Sequence, residues 1–126
     1  MAHEPTKEPS GVLQGVRVLD LSWGTVGPLV TMLMGDHGAD VTLIERPGGA
    51  PFGDVYGLDR IARRGKRSAI LNLKDTADLE TFLGLARSAD VLIESFAPGV
   101  TDRLGISYAR AVRGEPPADL RLHHRL

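Results

Sequence analysis

The stretch VRVLDLSWGTVGPLVTMLMGDHGADVTLIE, residues 16–45, decides the fold. Val16-Arg17-Val18-Leu19-Asp20-Leu21 reads as a short buried strand. Ser22-Trp23-Gly24-Thr25-Val26-Gly27-Pro28 follows as a glycine-punctuated turn, with Pro28 at the expected first helical position. Leu29 to His37 is the expected helix, its apolar face made by Leu29, Met32 and Leu33, and Gly38 is its natural stop. Val41-Thr42-Leu43-Ile44-Glu45 is a second strand. Strand, helix and strand within about 30 residues make a βαβ unit, which implies a parallel sheet and a right-handed crossover.

On the N-terminal side, residues 1–11 are polar and proline-bearing and read as a disordered leader without an apolar signal core. On the other side, Pro47-Gly48-Gly49-Ala50-Pro51 breaks regular structure, and a basic cluster of Arg60, Arg63, Arg64, Lys66 and Arg67 follows. Ser68-Ala69-Ile70-Leu71-Asn72-Leu73 is a third strand. Asp75 or Thr76 caps a helix whose Leu79, Phe82, Leu83 and Ala86 share one face at i, i+3, i+4 and i+7. Asp90-Val91-Leu92-Ile93-Glu94-Ser95 is a fourth strand, Pro98 to Leu104 starts a short helix, and Ser107 caps another through Val112. The alternation predicts an α/β fold: a Rossmann-like parallel sheet with flanking helices, over residues 12–113. The tail, 114–126, reads GEPPADLRLHHRL, has neither a strand's run nor an amphipathic helix, and is expected to be irregular.

With 126 residues the chain fits one domain. Its 15 Lys+Arg balance 16 Asp+Glu, so nothing suggests broad attraction to nucleic acid or to an acidic membrane surface. It has no Cys, which rules out disulfides, thiolate metal sites and a Cys nucleophile. No apolar run approaches the roughly 18 residues of a membrane span. A soluble, cytoplasmic protein is the expectation.

The Ser22–Pro28 turn lies at the carboxyl edge of the predicted sheet, where open α/β folds bind ligands, and its N–H groups suit an anion. Gly24-x-x-Gly27 is not the dinucleotide fingerprint and no Walker-type lysine follows, so a plain strand–helix connection is the competing reading. Arg46, Lys66, Arg67 and Arg103 are expected to converge on the same edge, where a ligand with several phosphates would need more than one cation. The alternative is that the basic run is merely solvated. Glu45 and Glu94 close two strands but read as structural acids, and Asp20 is expected to be hydrogen-bonded to backbone. His123 and His124 are adjacent and cannot form an i, i+4 ligand pair, so no metal site is expected.

An ordered series of segments then resembles one family. Gly15-Val16-Arg17-Val18-Leu19-Asp20-Leu21, Gly27-Pro28, Gly35-Asp36-His37-Gly38-Ala39-Asp40-Val41 and Ile44-Glu45-Arg46-Pro47-Gly48-Gly49 open it. Arg64-Gly65-Lys66-Arg67-Ser68, Leu71-Asn72-Leu73-Lys74, Ala89-Asp90-Val91-Leu92-Ile93-Glu94-Ser95-Phe96 and Pro98-Gly99-Val100-Thr101-Asp102-Arg103-Leu104-Gly105 continue it. Over about residues 12–113 the chain resembles the class III CoA-transferases, the family of formyl-CoA transferase, the carnitine CoA-transferases and α-methylacyl-CoA racemase. The resemblance implies a Rossmann-like large domain that binds coenzyme A, with Thr25, Arg46, Lys66, Arg67, Ser95, Phe96 and Arg103 at the family's CoA-contact positions. It implies an acyl-CoA and a free carboxylate as substrates, no metal, and an interlocked homodimer in full-length members. A piece on its own is expected to self-associate or aggregate through its unpaired sheet edge.

Family transferases attack with an Asp that takes the acyl group as a mixed anhydride. The racemase branch pairs an Asp with a His at the acyl α-carbon. By the resemblance both sets lie beyond Leu126, so this chain is expected to carry no catalytic residue of either. An N-terminal part of a CoA-transferase is the leading expectation. A part of an acyl-CoA racemase, a non-catalytic CoA-binding or pairing module, and a non-functional remnant are the rivals.

The tail admits an account in terms of reading frame. Synonymous codons exist for Gly114–Leu126 that, read one nucleotide later, give Ala-Asn-Pro-Arg-Leu-Ile-Tyr-Gly-Ser-Ile-Thr-Gly-Tyr, the family's segment at this point. A frame shift near Arg113 is therefore expected. Sequencing the gene from codon 105 onward should show codons that restore this segment and open a downstream frame; codons incompatible with it overturn the expectation.

Overall fold

The computed structural model describes residues 11–50, 57–107 and the backbone of 122–123. β1 (Arg17–Leu21) leads into α1 (Val26–Asp36) and β2 (Asp40–Glu45). A five-residue helix, α2 (Leu58–Ala62), precedes β3 (Arg67–Ile70). Next come α3 (Thr76–Arg87), β4 (Val91–Glu94), α4 (Val100–Leu104) and the two-residue β5 (Leu122–His123). The sheet runs β3-β2-β1-β4-β5, and all four neighbour pairs are parallel. The predicted parallel α/β architecture is what the structure has.

Strand side chains alternate between the two sheet faces, and that alternation sorts the core into two clusters. Val18 and Val41 on one face pack with Ala39 and with Met34 of α1. Leu19, Leu21 and Ile44 on the other face meet Phe82, Leu83 and Ala86 of α3 together with Ile106. The face predicted for α3 is therefore the face it buries. Its start is also set locally: the Asp75 carboxylate accepts from the N–H groups of Ala77 at 3.0 Å and Asp78 at 3.3 Å.

Several boundaries differ from the expectation. α1 begins at Val26, so Pro28 is its third residue rather than its first. It still sits in the first turn, whose N–H groups have no acceptor within the helix. The buried side chains of α1 are Thr31 and Met32, while Leu33 is 52% exposed. α1 ends as predicted at Gly38, whose φ of +100° lets the Ala39 N–H turn back to the Met34 carbonyl at 3.0 Å. The strand predicted through Leu73 stops at Ile70, after which the Leu71 N–H still reaches the Glu45 carbonyl. α2 was not expected. In the predicted irregular tail, Leu122–His123 pairs with Ile93–Glu94. The leader at 1–10, the helix expected after Ser107 (from residue 108 on), and residues 114–121 and 124–126 lie outside the described residues.

Carboxylates partner Arg63, Arg64, Lys66 and Arg67 of the basic cluster, and of these four the Lys66 side chain is the one withdrawn from solvent. Arg63 forms a two-pronged bond to Glu45, both arms 2.8 Å, and donates to Asp59 at 2.7 Å. Arg64 pairs with Asp36 of α1, Lys66 with Asp20 of β1, and Arg67 with Asp40 of β2. Each of these four cations takes a carboxylate from a different place in the fold, so the segment before β3 is strapped across α1 and the sheet. Among the described residues no helix is long and apolar enough to cross a membrane.

The Arg63 guanidinium bonds hold the Glu45 carboxyl below the usual glutamate value of 4.5. A depressed carboxyl stabilises the fold above its unfolded pKa, and that contribution is lost as pH falls through the folded one. Glu45→Gln should therefore lower the melting temperature at pH 7, and the gap to the unaltered chain should close as the pH falls below the ordinary glutamate value of 4.5. Thermal melts across that range check it; a gap independent of pH overturns it.

Candidate functional site

The strand order sets where a ligand fits. β1 passes by way of α1 to β2 on one side, whereas β4 lies on the other side and is reached from β3 through α3. The connections leaving β1 and β4 therefore diverge, and a crevice opens between their carboxyl ends. Two loops border it, Ser22–Thr25 after β1 and Ser95–Gly99 after β4.

One side chain joins these loops. The Ser95 hydroxyl accepts from the Trp23 N–H at 2.9 Å and donates to the Trp23 carbonyl at 3.3 Å. It thus takes up both backbone polar groups of one residue across the crevice. On the β4 side, the Glu94 carboxylate accepts from the Phe96 N–H at 2.5 Å, and the half-buried Phe96 ring packs against the α3-side core. Glu45 and Glu94 are thus both structural acids, held by Arg63 and by backbone.

Beneath the β1 loop lies a charge that the sequence placed only in part. Asp20 is fully buried on the α1 face of β1. Its Oδ1 accepts from the Ser22 N–H at 2.8 Å and from the Ser22 hydroxyl. Its Oδ2 accepts from the Thr31 hydroxyl at 2.5 Å and from Lys66 Nζ at 2.9 Å. The expected backbone bond is present, but three of the four donors are side chains. Lys66, its side chain 2% exposed, also donates to the Pro28 carbonyl at 3.0 Å. Four donors on one carboxylate offset the desolvation cost of burying it.

The predicted site residues fall into two groups. Thr25, Arg46, Ser95 and Phe96 lie at the carboxyl edge of the sheet, and Arg103 is on α4, which follows the β4 loop. Thr25 precedes α1, and its exposed side chain makes no capping bond. Arg46 is exposed, donates from Nε to the Gly49 carbonyl at 2.7 Å, and has no carboxylate among the described residues at ion-pair distance. Arg103 is likewise exposed and free of described carboxylates.

Lys66 and Arg67 do not join them. Arg67 is level with Thr42, three positions short of Glu45 at the end of β2, and bonds Asp40 at its start. Lys66 is occupied inside the protein. The expected convergence overlooked the direction of a parallel strand: residues before β3 lie toward the amino edge, while those after it lie toward the carboxyl edge. By that rule Lys74, exposed just after β3, is a carboxyl-edge cation that the sequence reading passed over. Strand direction, available from the βαβ pattern, would have found it.

Close packing fixes the loop as well. A Cβ on Gly27 would stand 2.3 Å from the Ser22 Cβ and 2.5 Å from its hydroxyl, so only glycine lets α1 start this close to β1.

Comparisons with known proteins agree on one family. The model for CoA-transferase family III matches residues 13–117. The chain is 39% identical over 124 residues to acetyl-CoA:oxalate CoA-transferase of Acetobacter aceti, covering 92% of this chain and 32% of that protein. It is 44% identical over 110 residues to succinyl-CoA:mesaconate CoA-transferase of Haloarcula marismortui, covering 78% of this chain and 28% of that one. The crystal structure of a D175A mutant of Rv3272 from Mycobacterium tuberculosis superposes with a TM-score of 0.75 and 33% identity, covering 82% of this chain and 30% of that one. A CaiB/BaiF family protein from Brucella suis gives 0.71 and 31%, covering 82% of this chain and 30% of that one. The chain spans about three-tenths of the length of these relatives.

Gly27→Ala should push Ser22 off Asp20 and destabilise the fold by about 1–3 kcal/mol, as over-packing does. Gly24→Ala, where a Cβ meets nothing within 4 Å but φ is +84°, should cost about 1 kcal/mol from backbone strain alone. Urea melts of the two variants check the order, and equal losses overturn the packing account.

Proposed function

Because the chain belongs to CoA-transferase family III, we propose that it supplies the coenzyme A-binding part of an enzyme that moves CoA from an acyl-CoA to a free carboxylate. The observation that carries this reading is the crevice between β1 and β4, bridged by Ser95 and flanked by cations that have no carboxylate partner among the described residues. Coenzyme A carries a diphosphate and a 3′-phosphate, so a site for it needs cations left free by the fold. Among the described residues Arg46, Lys74 and Arg103 meet that need, whereas Arg63, Arg64, Lys66 and Arg67 are each paired with carboxylates.

In this reading Thr25 and the first N–H groups of α1 face the diphosphate, Arg46 and Arg103 bind phosphate oxygens, and Ser95 and Phe96 border the adenosine or pantetheine portion. Lys66 and Arg67 serve by holding the segment before β3 in place. The transferase branch is favoured over the isomerase branch because relatives such as those of Acetobacter and Haloarcula are named CoA-transferases with carboxylic-acid substrates. In the whole enzyme the acyl group would pass through an aspartyl anhydride, with the acyl substrate chosen by residues outside this chain. Self-association is part of the reading: Val26, Val30 and Leu33 leave an exposed apolar stripe on α1, and Ile70 on edge strand β3 is 68% exposed.

The test uses Trp23, the one tryptophan of the chain, which stands in the crevice loop. Titration with CoA should change its emission saturably. Arg46→Ala and Arg103→Ala should each weaken binding about tenfold, the loss expected for one charge-assisted contact. Arg87→Ala, in the last turn of α3 at the amino edge, should leave binding unchanged. Unchanged Trp23 emission together with no binding heat on CoA addition overturns the reading.

A further inference from the structure

The loop that borders the crevice is held at both ends by one buried ion pair. Its first residue, Ser22, gives its N–H and its hydroxyl to Asp20 Oδ1. Past its end, the Pro28 carbonyl accepts from Lys66 Nζ at 3.0 Å, and the same ammonium sits 2.9 Å from Asp20 Oδ2. Thr31, one turn into α1, donates to that same oxygen at 2.5 Å. Residues 23–27 therefore span a gap whose two ends are fastened to a single Asp20–Lys66 pair. Both side chains are out of solvent, at 0% and 2% exposure.

We propose that Lys66 is a positioning residue for the crevice: through Asp20, Ser22 and Pro28 it sets the conformation of the Ser22–Thr25 loop against which coenzyme A docks, and it does so without touching the coenzyme. This rests on the CoA reading above. Charge position supports it. An ammonium with 2% exposure, held by a carboxylate and a carbonyl, cannot reach a phosphate unless it abandons a buried Asp20, which would then be left unpaired. Distance along the chain supports it too, since Lys66 stands 46 residues from Asp20 and enters from the segment that Arg63, Arg64 and Arg67 strap down. The loop's shape is thereby coupled to the β2–β3 crossover.

The experiment compares Lys66→Met, Asp20→Asn and the double variant Asp20→Leu with Lys66→Met in the full chain. It reads Trp23 emission without ligand, and then the dissociation constants of CoA and of 3′-dephospho-CoA. The double variant removes both charges at once and leaves no buried ion unpaired, so it keeps the fold if a single variant loses it; far-UV circular dichroism reports this. A positioning role requires that Trp23 emission shift to the red before any ligand is added. It requires CoA binding about tenfold weaker in every folded variant, with the same factor for 3′-dephospho-CoA and no further loss in the double variant over the singles.

A phosphate ligand behaves otherwise. Asp20→Asn would then release the ammonium and leave CoA binding unchanged or tighter, or Lys66→Met would weaken CoA far more than 3′-dephospho-CoA. Either result overturns the proposal. If the unaltered chain binds no CoA, the CoA reading fails by itself. The ion pair's hold on the loop is then judged on Trp23 emission, and an unshifted spectrum in the folded double variant overturns it.

Discussion

A buried carboxylate facing a buried ammonium is the constraint around which the rest of the chain is arranged. Asp20 lies fully buried near the carboxyl end of the sheet's middle strand, where an unpaired charge would cost several kcal/mol. Its four donors come from the next loop, the next helix and a segment 46 residues later. Each must be in place for the others to be worth burying. The close start of α1, the glycine at position 27 and the strap of paired arginines all follow from that requirement, because together they bring Ser22, Thr31 and Lys66 within reach of one side chain.

The same economy of charge explains why a protein with nearly equal acids and bases can still present an anion-friendly edge. The four cations Arg63, Arg64, Lys66 and Arg67 meet five carboxylates, Arg63 holding both Glu45 and Asp59 and the others Asp36, Asp20 and Asp40 in turn, which leaves their segment close to neutral. Arg46, Lys74 and Arg103 are left without described carboxylates, and all three follow a strand rather than precede one. Net charge is silent about this, since it sums both populations.

The fold was legible where the information is local. β1 and β2 carry their apolar runs in five or six residues, α3 shows its buried face at helical spacing with Asp75 at its start, and Gly38 marks the end of α1. What escaped was non-local or too short to have a period. α2 has five residues and a left-handed Gly57 before it, so no amphipathic pattern could reveal it. Leu33 fits a helical apolar face yet points to solvent, because Thr31 takes the buried position to serve Asp20. The partner of Asp20 could not be read from its neighbours, and the basic run looked like one surface feature because its carboxylates are scattered over four elements. At the site, the loops at the carboxyl edge were found from the βαβ pattern. The direction of β3, which removes Arg67 from that edge and brings Lys74 to it, follows from the same pattern, and the register agrees with it.

The strand order also governs how the chain can be made. β1 pairs with β2 across a short connection but pairs on its other side with β4, and the Arg17 N–H finds the Asp90 carboxylate 73 residues away. During synthesis at about 5–20 residues per second, that second edge stays bare for roughly 4–15 s after β1 has been made. Through that interval the most deeply buried strand of the finished sheet offers an open ladder to whatever else is nearby. A nascent chain of this topology is therefore most open to wrong pairing while the stretch between α1 and β4 is being made.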